Sequence, residues 1–550
     1  MDTFWELHKQ ASRRVAIGGG KDWNEHIDEL AFPGWFLQFR DHQIKAVNEI
    51  VEAFKEADVV VLDAPPGSGK TVIAEAVRQI LNCRGTYVCT TKSLQEQFIG
   101  DFPYARLLKG RSNYPVGRDT EPIGRKSSYD ITAADCTKVG DGSPAQCRWC
   151  NPVASCPYEQ AKHAALAADV AVLNTRYFLT EANGPGRFSR RDFVVIDEAD
   201  TLEHEIMGYF EFALTARAIR DYGLGEPKYI TKEEAWLEWV RNARSKLKRV
   251  GVQRPLFSDT AAELKEIREW QRLNRIKEGL KALEVGLNTG RWVYTGKSGQ
   301  VSFKPVEVDS LAPTILWPHS QKWLLMSGTI LSPKFLLEDC LGWTGSWSSI
   351  SMTSPYHKDN RPIKYQPLAP MNKKSLDEGA LNTFLRELRP VLETHRGERM
   401  LLHTVSYELT DAVEKFVRES GFRVFTYRDS GGRDLALQQF KSTPESILVA
   451  PSMDRGIDLP GDLCRVVGVC RVPFPNLGDR QVSSRLHRPS GQTWYNIQTI
   501  RTIIQMSGRG VRNEEDHCIT YIFDQQFKRL YDKNRWLFPE WWKEAVVWAR

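Results

Sequence analysis

The chain has 550 residues with a formal net charge of +6, and 41% of the residues are hydrophobic. This composition is that of an ordinary globular protein, so wholesale disorder, collagen and coiled coil are excluded, and the length allows about three or four domains. The sequence shows no export signal and no apolar run of about 20 residues, and its ten cysteines are too few for a disulfide scaffold. We therefore expect a folded cytoplasmic protein without a membrane partner.

Short apolar runs, each long enough for a strand buried on both faces, recur along the first part of the chain. They are Asp58–Leu62, Thr86–Cys89, Val170–Leu173, Phe193–Ile196 and Trp323–Met326. After the first run, Gly and Pro residues precede apolar residues at helical spacing between positions 72 and 80. This alternation of strand, loop and helix predicts one parallel sheet.

A second series of apolar runs follows, with helical patterns such as Leu409–Ser420 between its members. It comprises Met400–Leu402, Phe422–Tyr427, Ile447–Ala450, Val466–Val469 and Ile519–Phe523. Because these runs are also short, apolar and separated by helices, they predict a second parallel sheet. The predicted fold class is therefore α/β, with two parallel-sheet domains.

Two long segments interrupt the first series and are predicted to be insertions in the first domain. Residues 105–165 are rich in Gly, Pro, Ser and Cys and are weakly periodic. Residues 203–320 contain the charged helical patterns Lys232–Arg249 and Thr260–Leu287 and then a hairpin-like pair, Trp292–Tyr294 and Val301–Phe303. Between Arg241 and Lys281, twelve basic residues stand against five acidic ones. Such a stretch can attract phosphate backbones or form a solvated helix face.

The turn between the first strand and its helix carries a phosphate-binding loop pattern. Its sequence is Ala64-Pro65-Pro66-Gly67-Ser68-Gly69-Lys70-Thr71, with Ala64 where the strict pattern has Gly. Glycines let backbone N–H groups converge on phosphate oxygens, and the following helix directs its positive end at them. In this pattern Lys70 neutralises the β- and γ-phosphates and the Thr71 hydroxyl coordinates Mg²⁺.

Acidic residues follow the strand at Phe193–Ile196, in the order Asp197, Glu198, Ala199 and Asp200. A carboxylate at the end of a strand beside a phosphate loop can hold Mg²⁺, and we assign that role to Asp197. Glu198 is predicted to orient and deprotonate the attacking water. Two acids after a strand can instead cap a helix, but their pairing with the phosphate loop favours catalysis.

In the second domain, Gln505 is followed by Arg509 and Arg512, which stand three residues apart, about one turn of a helix. Arginines that reach in from a facing domain can stabilise the charge that develops on a transferred phosphoryl group. The alternative is an exposed helix with two surface arginines.

Four cysteines lie within 21 residues, with ten, two and five residues between successive members: Cys136, Cys147, Cys150 and Cys156. In a reducing compartment such a group indicates a metal rather than disulfides. The spacing alone is compatible with a [4Fe–4S] cluster or with tetrahedral Zn²⁺.

These motifs, together with Ser327-Gly328-Thr329, stand in the order found in superfamily 2 helicases, and the resemblance spans about residues 36–535. It is strongest to the XPD/DinG branch of iron–sulfur helicases, in which one insertion precedes the Asp-Glu motif and a second follows it. The resemblance implies two RecA-like domains. It implies an N-terminal extension (1–35), a first domain (36–104, 166–202 and 321–345), a cluster insertion (105–165), a mostly helical arch-like insertion (203–320) and a second domain (346–550).

Further stretches resemble this family residue by residue. Gln43, in Arg40-Asp41-His42-Gln43, resembles the family's adenine-sensing glutamine. Gly456 and Asp458 lie in a stretch that resembles motif V, which connects the nucleotide state to the bound nucleic-acid strand. Cys156-Pro157-Tyr158 resembles the end of the family's cluster domain, which favours [4Fe–4S] over zinc. The family's first cysteine position is Val116 here, so that Cys136 takes its place.

The resemblance implies an ATP-dependent DNA helicase that uses ATP, Mg²⁺ and an iron–sulfur cluster. Its polarity is expected to be 5′ to 3′, on single-stranded and forked DNA, and the sequence does not identify its protein partners. Two alternatives stay open from the residues: a single-strand translocase that does not unwind duplex, and a non-catalytic nucleic-acid-binding subunit of a larger complex.

Overall fold

The computed structural model describes residues 30–33, 36, 38–115, 132–135, 156–227, 229, 232–250, 261–289, 291–296, 300–377, 379–451, 459–508, 510–511 and 513–548. The strands are β1 (Val59–Asp63), β2 (Gly85–Cys89), β3 (Arg106–Leu107), β4 (Val170–Asn174), β5 (Arg191–Asp197), β6 (Phe212–Leu214), β7 (Trp292–Tyr294), β8 (Val301–Pro305), β9 (Ser320–Ser327), β10 (Trp347–Ser351), β11 (Ile363–Ala369), β12 (Met400–His403), β13 (Arg423–Phe425), β14 (Ser446–Ala450), β15 (Val466–Val469), β16 (Ile519–Asp524) and β17 (Val546–Trp548).

The α-helices are α1 (Asp41–Ala53), α2 (Lys70–Ile80), α3 (Lys92–Asp101), α4 (Pro157–Ala167), α5 (Thr175–Asn183), α6 (Leu202–Phe210), α7 (Ala216–Asp221), α8 (Glu233–Arg249), α9 (Ala261–Asn288), α10 (Ala312–Ile315), α11 (Lys373–Asp377), α12 (Ala380–Thr394), α13 (Tyr407–Glu419), α14 (Ser430–Ser442), α15 (Arg480–Leu486), α16 (Gly491–Ser507), α17 (Gln526–Asn534) and α18 (Glu540–Lys543). Within the described ranges, none of them combines the length and the apolar character needed to cross a membrane.

The first sheet has seven strands in the order β10-β1-β9-β5-β2-β4-β3, and all its pairings are parallel. Alternate residues of β1 pack into different cores: Val59 and Val61 lie in one and Val60 and Leu62 in the other. Helices therefore cover both faces, which is why this strand is a continuous apolar run. The five predicted strands all belong to this sheet, so the first part of the fold prediction is confirmed.

The strand register brings together the C-terminal ends of β1, β5 and β9. Asp63 at the end of β1 pairs with Ser327 at the end of β9, and Asp197 at the end of β5 pairs with Met326. In parallel α/β sheets, ligands bind at this edge of the sheet. The first sheet also extends past the predicted domain limit at residue 345, because β10 pairs with β1. The domain limits as a whole stay a prediction.

The second sheet is also parallel, in the order β13-β14-β12-β15-β16-β11-β17, and contains all five strands of the second predicted series. Two of its strands, β11 and β17, were not predicted. In β11, Ile363 and Tyr365 are buried whereas Lys364 between them is exposed, so the strand alternates instead of forming a continuous apolar run. A search for strands buried on both faces misses such a pattern.

The second insertion has its own core. The hairpin predicted at β7 and β8 is antiparallel, as expected, and β6 completes a three-stranded sheet with the order β6-β8-β7. The Trp236 ring of α8 stacks on Tyr294 at 4.5 Å between centroids and meets Phe303 edge-on at 5.0 Å. Leucines of α9 complete this core.

Candidate active site between the two sheets

The phosphate-loop residues form the turn from β1 into the N-terminus of α2. Gly67 and Gly69 have φ angles of 78° and 79°, a left-handed conformation that glycine adopts without strain. The Lys70 ammonium donates to the Ala64 carbonyl at 3.2 Å and so lies across the loop. Backbone N–H groups in such alternating conformations form a concave anion site. The structure therefore brings Gly67, Gly69 and Lys70 together in one turn.

Two further residues hold this loop. The Gln43 side chain donates to the Ser68 carbonyl at 3.2 Å and accepts from the Arg40 N–H at 3.0 Å, which ties α1 to the loop. The Gly328 position faces the other side, where a Cβ atom would lie 3.0 Å from the Ala64 carbonyl oxygen. This close approach explains why glycine suits the position where the family usually has alanine.

A buried carboxyl next to the loop escaped sequence analysis. Asp63 is the last residue of β1, and burial raises its pKa to about 7, although the nearby Lys70 charge lowers it. One of its carboxyl oxygens has no hydrogen-bond partner within the described ranges. Asp63 directly precedes the motif, and only the strand register reveals that it is enclosed.

The two predicted magnesium ligands converge on one tyrosine. The Tyr87 hydroxyl of β2 donates to Asp197 Oδ2 at 2.6 Å, and the Thr71 side chain hydrogen-bonds to the same tyrosine. Burial, reinforced by the Asp197 charge, holds the pKa of Tyr87 well above its ordinary value. Hard hydroxyl and carboxylate oxygens are ligands that suit Mg²⁺. Thr71 and Asp197 therefore fit a magnesium ion, with Tyr87 fixing the carboxylate.

Glu198 directly follows β5 and is the N-cap residue of a short 3₁₀ helix, Ala199–Thr201. Its φ of 54° is unusual for a residue with a side chain, and its N–H donates to Asp197 Oδ1 at 2.9 Å. The Thr201 N–H and hydroxyl both bind the Glu198 carbonyl, at 2.9 and 2.7 Å. Strained backbone held by such contacts is typical of functional positions. Glu198 is thus locked next to Asp197.

Asp200 is one point at which the two domains meet. Its carboxylate accepts from the Ser327 hydroxyl at 2.8 Å and from the Thr329 hydroxyl at 3.0 Å, both in the first domain. From α16 of the second domain, the Gln505 amide donates to both Asp200 and Thr329 at 3.0 Å. Arg501, one helical turn earlier, lies 3.4 Å from Asp200 and donates to the Thr329 carbonyl at 3.1 Å. Sequence analysis missed Arg501, although its i, i+4 spacing to Gln505 places both on one helix face.

A second cross-domain contact lies beside the first. Arg485 of α15 is only 2% exposed and pairs with Glu203 at 3.6 Å and with Glu307. The Trp494 indole N–H donates to the other Glu203 oxygen at 2.9 Å. Glu203 and Glu307 flank strands β6–β8 of the insertion. The second domain is therefore joined to both ends of that insertion by a buried ion pair.

Several predicted site residues lie outside the described residues: Gly456, Asp458, Arg509, Arg512, Cys136, Cys147 and Cys150. Gly508, directly before Arg509, faces the phosphate loop, where a Cβ atom on it would lie 3.6 Å from Pro66 Cγ. Cys156 is buried, 3% exposed, at the start of α4. Among the residues that the structure describes, no three His, Cys, Asp or Glu side chains form a metal-binding group.

Two family descriptions match the chain, one in each domain. Residues 36–199 match the type III restriction enzyme res subunit, and residues 390–545 match the helicase C-terminal domain. The ATP-dependent DNA helicase XPD of Sulfolobus acidocaldarius is 22% identical over 568 aligned positions, which cover 90% of this chain and 98% of the relative.

Solved structures show the same architecture. An XPD helicase superimposes with a TM-score of 0.63 at 17% identity, covering 94% of this chain and 100% of that chain. Xpd4 of S. tokodaii gives a TM-score of 0.57 at 17% identity, covering 93% of this chain and 100% of the other.

The chain therefore belongs to the superfamily 2 helicases, and it is an ATP-dependent enzyme of that group. Within the superfamily, its sequence and fold group it with the XPD helicases. The family resemblance and the two RecA-like domains predicted from the sequence are confirmed.

Proposed function

We propose that this helicase acts on DNA, moves 5′ to 3′ along one strand and unwinds forked duplexes. The observation that carries the proposal is the junction at Asp200, where hydroxyl groups of the first domain meet Gln505 and Arg501 of the second. Because one carboxylate holds groups from both domains, a change at the phosphate loop beside it alters how the domains fit together. This is the coupling that a motor driven by hydrolysis requires.

In the proposed reaction, the phosphate loop and Lys70 hold the triphosphate, and Thr71 and Asp197 hold Mg²⁺. The metal ion, when bound, neutralises charge on the β- and γ-phosphates. Glu198 takes the proton of the attacking water, and Arg509 and Arg512 stabilise the charge on the transferred group. The buried oxygen of the Gln505 amide has no partner within the described ranges and would accept a hydrogen bond from that water.

The nucleotide base and the strand engage other parts of the chain. Gln43 would contact the adenine, and its side chain also binds Ser68 of the phosphate loop. Gly456 and Asp458 would couple the state of the bound nucleotide to the bound DNA strand. Helix α8 of the arch-like insertion, whose last turn carries Lys246, Lys248 and Arg249, offers positive charge to a phosphate backbone. A cytoplasmic location completes the proposal, since reducing conditions keep metal-binding thiolates free of disulfides.

The function is tested by hydrolysis and unwinding assays. We expect single-stranded DNA to stimulate ATP hydrolysis, and Lys70→Ala to reduce hydrolysis by about a hundredfold or more because a charge-assisted phosphate contact is lost. Lys55→Ala, just beyond α1 and exposed, serves as the matched control. The polarity is measured by unwinding of duplexes that carry one single-stranded tail, either 5′ or 3′.

Three outcomes would contradict the proposal. Hydrolysis that ignores single-stranded DNA would overturn the proposed substrate, and full activity of Lys70→Ala would overturn the site. Movement along single strands without unwinding of forks would identify a translocase instead.

We further propose that Cys136, Cys147, Cys150 and Cys156 bind a [4Fe–4S] cluster. Protein purified without oxygen is expected to be brown and to contain about four iron atoms per chain, because four thiolates complete such a cluster. Cys156→Ser is expected to lose most of this iron, whereas Cys340→Ser, a buried cysteine elsewhere in the first domain, is expected to retain it. Colourless protein with one zinc ion would show that the site is tetrahedral zinc.

A further inference from the structure

The segment that joins the two sheets, between β10 and β11, carries a tyrosine that is anchored in the second domain. Tyr356 is only 5% exposed and belongs to the same hydrophobic core as Leu401 and Leu448 of the second sheet. The Arg361 side chain donates to the Tyr356 carbonyl at 3.1 Å, and Arg361 in turn pairs with Glu544. Backbone and ring are therefore both fixed to the second domain.

The hydroxyl end of the same residue touches the first domain. A Cβ atom built on Gly67 would overlap the Tyr356 hydroxyl oxygen and the adjoining ring carbons. Only a residue without a side chain leaves room for this contact. The phenol of Tyr356 thus lies directly against the phosphate loop, next to the backbone that would surround the phosphates.

We propose that Tyr356 is a further nucleotide-binding residue, whose hydroxyl donates a hydrogen bond to a phosphate oxygen of bound ATP. A phenol hydroxyl has one donor and two acceptor positions, so it can bind a phosphate oxygen and keep another contact. Hydrogen bonds to charged oxygens are stronger than neutral ones. The inference rests on the proposed function only in taking the nucleotide to be ATP.

The contact would couple the two domains, because the Tyr356 ring lies in the core of the second domain and its hydroxyl lies against the phosphate loop of the first. The phosphates would be held by the loop of the first domain and, through Tyr356, by the core of the second. Loss of the γ-phosphate or of the whole nucleotide would then release the second domain at the joining segment. Tyr356 would act here together with the Asp200 junction.

The test is Tyr356→Phe, which keeps the ring in its core and removes only the hydroxyl. Equilibrium binding of ADP and of a non-hydrolysable ATP analogue is measured with Mg²⁺ and without nucleic acid. We expect about tenfold weaker binding of at least the triphosphate, the effect of losing one hydrogen bond to a charged group. Tyr365→Phe is the matched control, since its hydroxyl donates to the Gln525 carbonyl within the second domain.

The possible results separate clearly. Unchanged or tighter binding by Tyr356→Phe overturns the inference, and so does equal weakening by Tyr365→Phe, which would indicate a general disturbance of the second domain. Thermal melting of both variants verifies that they are folded. The proposed function is tested separately, by ATP hydrolysis of the wild-type chain with and without single-stranded DNA. If that test fails, the nucleotide-binding result for Tyr356→Phe can still be interpreted.

Discussion

Replacement of Glu198 by glutamine is expected to lower the maximal rate of ATP hydrolysis by about 10²- to 10⁴-fold, the usual contribution of a general base. Glutamine has nearly the same shape but cannot take a proton from water at neutral pH. Because the backbone of Glu198 is held by Asp197 and Thr201, the variant should keep the loop geometry and bind ATP normally. Steady-state hydrolysis and equilibrium nucleotide binding, measured together, distinguish the two effects.

The matched control is Glu205→Gln on α6, a half-exposed carboxylate that takes no part in the site. It should hydrolyse ATP at the wild-type rate. Hydrolysis by Glu198→Gln within a few-fold of wild type would show that another group activates the water. Loss of nucleotide binding would instead indicate that Glu198 supports the phosphate loop.

Replacement of Arg509 by alanine is expected to have the largest effect, about 10³- to 10⁵-fold on the maximal rate, as for arginines that stabilise the phosphoryl-transfer transition state. Gly508, its neighbour in the chain, packs against Pro66 of the phosphate loop, and Gln505 binds Asp200. These contacts place Gln505 and Gly508 themselves at the nucleotide edge of the first sheet. Arg512→Ala is expected to act in the same direction.

Arg418→Ala, which removes an exposed arginine paired with Glu414 on α13, is the control and should be neutral. A raised KM with an unchanged maximal rate in Arg509→Ala would contradict the prediction, since it would assign the arginine to ground-state binding. Single-turnover measurements exclude product release as the source of any change.

The parts of the site that are local in the chain can be recognised from the sequence. The phosphate loop, the pair Asp197 and Glu198, and Gln505 each stand in a motif whose chemistry is readable from neighbouring residues. The roles assigned to them stay predictions, as does the cluster assignment. The two parallel sheets were predictable because buried strands are continuous apolar runs.

The contacts that complete the site depend on which strands are neighbours. Tyr87 meets Asp197, 110 residues away, only because β2 and β5 are adjacent in the sheet. Gln505 reaches Asp200 across 305 residues, and Tyr356 reaches Gly67 from the segment between the sheets. Neither hydrophobic periodicity nor motif spacing predicts which of these distant residues are in contact. Strand β11 was missed for another reason: its buried and exposed residues alternate, whereas the prediction looked for continuous apolar runs.

The Arg485 ion pair restricts how the molecule can move. Removal of one partner from a buried pair of this kind costs about 3–5 kcal/mol, because the other charge is left buried and uncompensated. Glu203 follows Asp200 closely on the same segment of the first domain, so the cleft at Asp200 cannot widen unless Arg485 separates from Glu203. Opening of the cleft would therefore expose the Arg485 guanidinium and its carboxylate partner to solvent at the same time as it breaks the hydrogen bonds at Asp200.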